Sequence, residues 1–306
     1  MFRGTYGCSS LDYALFGDAG INNFQSFVLR AGGQDAYGSK IRDEMITSLA
    51  SEYLGLPVQR YRPVVLYLNG EYWGIYFIRE KLTDQYVAGN FGVYAEDVTL
   101  ANWSGSSCKA YRDLQSYARN HDLSKQEHYD YICSQINLDN YIDYIITQMW
   151  IANTDLGNVK FFRTDEMPWH WALFDTDLSF RRVSHASVTN FMTKRIQIRD
   201  ISSATLVIRL MKNKDFKDKF MRRMAWQLKN VWTAENVANR VDEIQAMLQP
   251  DMKKECNRWG GSVSSWESNL NSLRKFAAQR TPYVLADLQD YFNFSKDKMR
   301  DYGFEV

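Results

Sequence analysis

Apolar and polar positions change period several times along the chain, and each change predicts an element. The run Phe24-Gln25-Ser26-Phe27-Val28-Leu29-Arg30 reads as a strand closed by the turn cluster Ala31-Gly32-Gly33. The period then lengthens to that of a helix. Ile41, Met45, Leu49 and Tyr53 recur about one turn apart, Ser39 stands as the N-cap, and Gly55 with Pro57 supplies the stop. After Pro63, two β-rich runs at 64–68 and 72–78 flank Asn69-Gly70, a strong hairpin signal. The first third is therefore strand, helix, hairpin.

Residues 83–137 are mixed and polar, with a connection at Asn102-Trp103-Ser104-Gly105-Ser106-Ser107. Leu138, Tyr141, Ile142, Ile145, Ile146, Met149 and Trp150 then follow the spacing of a helix with one deeply buried face. It delivers Asn153-Thr154-Asp155-Leu156-Gly157-Asn158. Short strands at 159–162 and 169–174 come next, the second running directly into Asp175-Thr176-Asp177. Beyond Phe180 the chain reads as successive helices, at 206–211, 216–228, 234–247 and 270–279, without internal repeats or low-complexity tracts.

Composition narrows the function classes. The 306 residues suffice for one large domain or two lobes. A net charge of +1, from 37 basic and 36 acidic residues, lacks the basic bias of a nucleic-acid surface. No apolar run has the length of a membrane span, and the N-terminus shows no basic-then-apolar signal pattern. Cys8, Cys108, Cys133 and Cys256 form no CxxC pair, and their use leaves the compartment open. His121, His128, His170 and His185 lack HExxH spacing, so zinc hydrolysis has no support. Aromatics reach 15%, which predicts an aromatic-packed core before it predicts a stacking surface for sugars.

Candidate chemistry lies in the order of the elements. A long helix delivers Asp155 and Asn158, a hairpin follows, and its last strand ends at Asp175. Phosphoryl transfer needs a carboxylate to orient or deprotonate the acceptor hydroxyl, and oxygen ligands for a magnesium ion that offsets phosphate charge. Asp155 suits the first task, and Asn158 with Asp175 the second, in the order protein kinases use. Upstream, Arg30 ends a strand before a helix bearing Asp43 and Glu44. In protein kinases a cation so placed holds the α/β phosphates and pairs with a helix acid, here Glu44 foremost, with Asp43 an equal geometric candidate. The connector Arg79-Glu80-Lys81-Leu82 is placed to meet adenine through its backbone.

The segment Leu66-Tyr67-Leu68-Asn69-Gly70-Glu71-Tyr72-Trp73-Gly74-Ile75-Tyr76 closely resembles the hallmark of the CotH kinase family of spore-coat-type atypical kinases. So do Trp150-Ile151-Ala152-Asn153-Thr154-Asp155, Asn158-Val159-Lys160-Phe161-Phe162 and Trp171-Ala172-Leu173-Phe174-Asp175-Thr176-Asp177. Phe216-Lys217-Asp218-Lys219-Phe220 and Arg258-Trp259-Gly260-Gly261 are also similar to it. The resemblance implies an α+β, protein-kinase-like two-lobed fold, with a small β-rich lobe carrying one helix (1–82) and a larger, mainly helical lobe (83–306). It implies ATP with Mg2+ or Mn2+ as cofactors and protein Ser/Thr hydroxyls as acceptors, and it points to an extracytoplasmic or cell- or spore-surface location. Asp155 matches the catalytic-loop acid and Asp175 the metal-binding acid, with Asp177 as a second ligand beside Asn158. Two departures stand out. Only Leu156-Gly157 separate Asp155 from Asn158, where ordinary kinases place four residues. No glycine-rich phosphate loop precedes the first clear strand, so the first strands are expected to be missing.

Rival readings remain. Asp155 after Asn153-Thr154 suits a turn at a helix end, and Arg30 suits a structural ion pair. The same fold without catalysis would make a surface-binding, adhesion or pseudokinase module. A carbohydrate-binding module would need a periodic row of exposed aromatics, which the sequence lacks.

Overall fold

Two very short strands open the chain, β1 (Leu11–Asp12) and β2 (Asn23–Phe24), paired antiparallel. The strand expected at 24–30 is thus divided: Phe24, its first residue, pairs in β2, and β1 lies before it. With two residues each, these strands carry no alternation that a pattern could reveal. The computed structural model describes residues 2–17, 21–102, 108–193 and 202–306. The connection at Trp103-Ser104-Gly105-Ser106-Ser107 lies outside the described residues.

Next come β3 (Phe27–Arg30), α1 (Arg42–Leu54), β4 (Tyr61–Leu68) and β5 (Glu71–Glu80), with the strands in the order β3-β5-β4, all antiparallel. Asn69 and Gly70 turn the hairpin with φ of 51° and 83°, both positive as a two-residue turn of this hand requires. β4 starts before Pro63 rather than after it. As an edge strand it tolerates a residue with no N–H. Gly55 closes α1 in the left-handed conformation, its N–H on the carbonyls of Ala50 and Ser51. The start differs from expectation: Ser39 makes no cap, and its N–H and hydroxyl both bond the buried carboxylate of Asp35.

The segment without a clear pattern folds as α2 (Asp84–Phe91), β6 (Thr99–Asn102), α3 (Lys109–Asn120) and α4 (Gln126–Gln135). In α3 the buried stripe is Tyr111, Leu114, Gln115 and Ala118. Its spacing is helical, but a tyrosine and a glutamine stand in it, which hid the period.

The central element is α5 (Leu138–Trp150), capped by Asn137, whose side chain accepts from the Asn140 N–H. Residues 141–150 are all buried, so this helix is enclosed rather than one-sided. Its one deep acid, Asp143, receives Arg223 at 2.6 and 2.8 Å and Gln227 at 2.7 Å. β7 (Lys160–Arg163) and β8 (His170–Ala172) complete a sheet with β6.

The remainder is helical: α6 (Ser187–Thr193), α7 (Ser202–Leu210), α8 (Lys214–Asn230), α9 (Ala234–Trp259), α10 (Val263–Phe292) and α11 (Lys296–Asp301). α9 and α10 pass through Pro250 and Pro282 and outrun their expected ends. Leu248 and Met252 on α9, and Val284 and Leu288 on α10, keep each apolar face buried beyond that point. The fold is therefore mixed α+β, dominated by helices, with three small antiparallel sheets among the described residues. α9 packs on α10 and also on α1, β4 and β5. One core cluster, including Ile41, Phe77, Ile145 and Val284, therefore draws on both sides of residue 82. Among the described residues, no helix is long and apolar enough to cross a membrane.

Candidate functional site

Beyond α5 the chain must reverse quickly. Ala152 takes a left-handed φ of 53°, and Asn153 ties down both sides of the bend. Its amide donates to Gln148 Oε1 at 2.9 Å and its Oδ1 accepts from the Asp155 N–H at 3.0 Å. Asp155 is thus set by a local turn of the kind its sequence suggested. Asn158 Nδ2 then reaches two carboxylates, Asp155 Oδ2 at 3.1 Å and Asp175 Oδ2 at 2.6 Å. Asp175 also stands in the left-handed region, φ 57°, three residues past the end of β8. Below it, the Phe180 N–H bonds Ile151 O at 2.9 Å and Thr154 Oγ1 bonds Leu178 O at 3.2 Å. The two loops are stitched together, which brings Asp155, Asn158 and Asp175 to one place.

Residues before α2 hold the other side. Arg30 Nη2 lies 2.6 Å from Asp175 Oδ1 and 2.7 Å from Asp177 Oδ2. The Gln34 N–H donates to that same Asp177 oxygen at 2.8 Å. Arg42 donates to the Asp177 carbonyl at 2.8 Å and pairs with Asp35 at 3.3 Å. Between the two acids, Thr176 donates its N–H and hydroxyl to Asp43 Oδ1 at 2.7 and 2.8 Å.

The expected pair of Arg30 with Glu44 is not formed. The cation that meets Asp43 and Glu44 (the latter at 3.3 Å) is Arg79, fully buried on β5. The connector reading of Arg79 and Glu80 is corrected with it. Both are the last residues of β5, with Glu80 buried against the Arg60 N–H at 3.0 Å and the Arg60 guanidinium at 3.2 Å. As successive strand residues they point to opposite faces, and both faces are covered there, so each buried charge needs a partner. The link itself is Lys81, exposed, and Leu82, whose side chain is buried and whose carbonyl accepts Lys160 Nζ at 3.2 Å.

Burial and neighbouring charge divide the acids. Burial would raise Asp43, but Arg79, Arg30 and the Thr176 N–H outweigh it and hold its carboxyl below the usual range. Burial pushes Glu44 up to about 7, against the pull of Arg79 and with Asp43 adding to the rise. Asp177 is also raised, by burial first, although the Gln34 N–H and Arg30 oppose it. Burial lowers Lys160, and nearby Lys81 lowers it further.

The donor set fits a hard cation. Asp155, Asp175 and the oxygen of Asn158 are the ligand types magnesium takes. Among the described residues, no group of three or more His, Cys, Asp or Glu could hold a metal alone. Magnesium is ordinarily held by one or two carboxylates together with phosphates and water. Asp177 meets Arg30 and Gln34 through Oδ2, while both oxygens of Asp175 are bonded, Oδ1 to Arg30 and Oδ2 to Asn158.

Pattern reading missed Gln34, Asp35, Arg42 and the role of Arg79. The adjacent charges Arg79-Glu80 ending a strand of apolar residues were a usable signal of buried ion pairs. A cavity of about 670 Å³ borders the link and is lined by Asn23, Gln25, Lys81, Thr83 and Asp84. Another of about 430 Å³ lies beyond the loop before α1, walled by Lys40, Tyr76, Glu255, Trp259 and Trp266.

No curated protein matches the chain. The family model described as CotH kinase protein matches residues 9–119 and 106–284, a span that includes every element bearing the site. By that match the chain belongs to the CotH kinase protein family.

Proposed function

We propose that this chain is an ATP-dependent kinase that phosphorylates protein Ser/Thr hydroxyls, on a two-lobed arrangement of residues 1–82 and 83–306. The observation carrying this reading is the Asn158 amide bridging Asp155 and Asp175, which reach it from two different loops. Packing alone does not require two carboxylates to share one donor, and their repulsion is a cost unless a cation or donor offsets it. Opposite them, Arg30 brings a guanidinium, whose planar donors suit phosphate oxygens.

In this reading Asp155 accepts the proton of the acceptor hydroxyl as its oxygen attacks the γ-phosphorus and the bond to ADP breaks. Asp175 and Asn158 would hold Mg2+ or Mn2+, which when bound neutralises charge on the phosphates. Arg30 would steady the triphosphate once its contact with Asp175 is released.

The test is calorimetry with ATP and magnesium, followed by transfer of labelled phosphate to a Ser-rich protein. Asp175→Asn should lose metal-dependent ATP binding, while Asp155→Asn should bind ATP and fail to transfer. Full-strength, metal-dependent binding by the Asp175 variant would refute the assignment. A second reading, a non-catalytic binding module, is favoured by the pairing of Arg30 with both Asp175 and Asp177, which neutralises these acids without a metal. Absence of transfer to any acceptor and of autophosphorylation would select it.

A further inference from the structure

The cavity of about 430 Å³ shares the loop 31–40 with the proposed site but is lined by none of Arg30, Asp155, Asn158, Asp175 and Asp177. Ala31, Tyr37 and Lys40 form one wall and Ile75 with Tyr76 of β5 a second, while the end of α9 and the start of α10 supply the rest. Its size is that of a small-molecule pocket, which spans roughly 300–1,000 Å³.

The walls are tied in place. Trp259 Nε1 donates to Trp73 O at 2.7 Å, and Trp266 Nε1 to Ser39 O at 2.9 Å. The indole N–H groups are thus already engaged, and what the two side chains add to the lining is apolar ring surface. Lys40 is buried in a left-handed conformation, φ 68°, with its ammonium on Glu255 Oε1 at 2.7 Å and Ala31 O at 3.0 Å. The other Glu255 oxygen accepts from the Ile75 N–H at 2.8 Å and the Tyr72 hydroxyl at 3.2 Å. These are the only charged residues of the lining, and each answers the other.

Two features stay open. Tyr37 and Trp259, 82% and 40% exposed, leave large rings in water beside the cavity. Exposed apolar surface gathered at a concavity is the mark of a ligand site. In the first two turns of α10, Ser265 and Asn269 also line it, and neither side chain has a hydrogen-bond partner among the described residues.

We propose that this cavity is a second ligand site, for an uncharged, planar aromatic molecule with a hydrogen-bonding group at one edge. The aromatic walls pack on the ring of such a molecule. The Asn269 amide, both donor and acceptor, meets its polar edge. A charged ligand would leave water with no free counter-charge to receive it, because Lys40 and Glu255 are paired. The site stands independently of the kinase reading.

The test is calorimetric titration of the full chain with naphthol, against naphthoate, a like ring system carrying a negative charge. Two variants accompany the wild type, with melting curves to check their fold. Ser265→Trp fills the cavity from an exposed position, and Asn269→Leu removes the polar contact. Naphthol should saturate a single site, bind about tenfold more tightly than naphthoate, and stay bound when Mg–ATP is added. Ser265→Trp should abolish binding, and Asn269→Leu should weaken it about fivefold, the effect of one neutral hydrogen bond. Non-saturable binding, equal affinity for naphthoate, displacement by Mg–ATP, or undiminished binding in either folded variant overturns the inference.

Discussion

Arg30 and Asp175 are 145 residues apart in sequence and 2.6 Å apart in space, and the same guanidinium nitrogen also holds Asp177. Burial alone would lower the affinity of Arg30 for its proton, but Asp43, Asp175 and Asp177 together raise it. The strand cation is thus tied to the acids after β8 and not to the helix acid expected from sequence.

Arg30→Met should therefore act twice. Asp175 and Asp177 lose their counter-charge, for a loss of about 3 kcal/mol in denaturant unfolding. ATP affinity should fall more than adenosine affinity, because only the phosphate contact is removed. Equal weakening of both ligands would show that Arg30 does not meet phosphate.

Gly33 is required where it stands. Its φ is +57°, and an added Cβ would lie 2.6 Å from Arg30 Nη2 and closer still to Asp177 Oδ2. Gly55, at φ +64°, faces open space. Gly55→Ala should thus cost only the left-handed penalty, about 1 kcal/mol, whereas Gly33→Ala should cost clearly more and weaken metal-dependent nucleotide binding. Urea unfolding of both variants makes the comparison.

For Arg79 the expected loss is in stability. Its guanidinium is the partner of Asp43 and Glu44, all three within the core. Arg79→Met leaves two buried carboxylates unpaired and should cost about 3–5 kcal/mol in urea unfolding. A variant of near wild-type stability with altered base preference would restore Arg79 to a connector role.

Glu44 makes stability depend on pH. Its folded carboxyl is raised from 4.5 to about 7 by burial, so the native state holds the proton more tightly than the unfolded chain. As pH rises through that window the unfolded state ionises first, and stability falls, by at most on the order of 3 kcal/mol. Asp43 has the opposite sign: its lowered carboxyl adds stability above its ordinary value of 3.8 and loses it as the medium becomes more acidic. Glu44→Gln should remove the decline between pH 4.5 and 7. Parallel melting curves of variant and wild type through this range would contradict it.

What the sequence determined is local. Asn69-Gly70 demanded positive φ and turned the hairpin, the apolar spacing from Leu138 to Trp150 made α5, and the order of Asp155, Asn158 and Asp175 follows from the elements carrying them. Periods and turn chemistry act over a few residues, so they can be read without neighbours. The tertiary structure alone decided which charges meet. Arg30 and Arg79 both stand near the ends of strands facing α1, and nothing in their own segments ranks Asp43, Glu44, Asp175 or Asp177 as partner. The pairing of β3 with β5, which sets Arg30 opposite Phe77 and Val28 opposite Arg79, made that choice. It put Arg79 in the core and left Arg30 within reach of Asp175 and Asp177. The same holds for α9, whose Glu255 accepts from the Ile75 N–H at 2.8 Å and pairs with Lys40 at 2.7 Å. Charge attraction has no sequence register. A buried ion finds whichever opposite charge the packed backbone brings within reach, and only the fold supplies that distance.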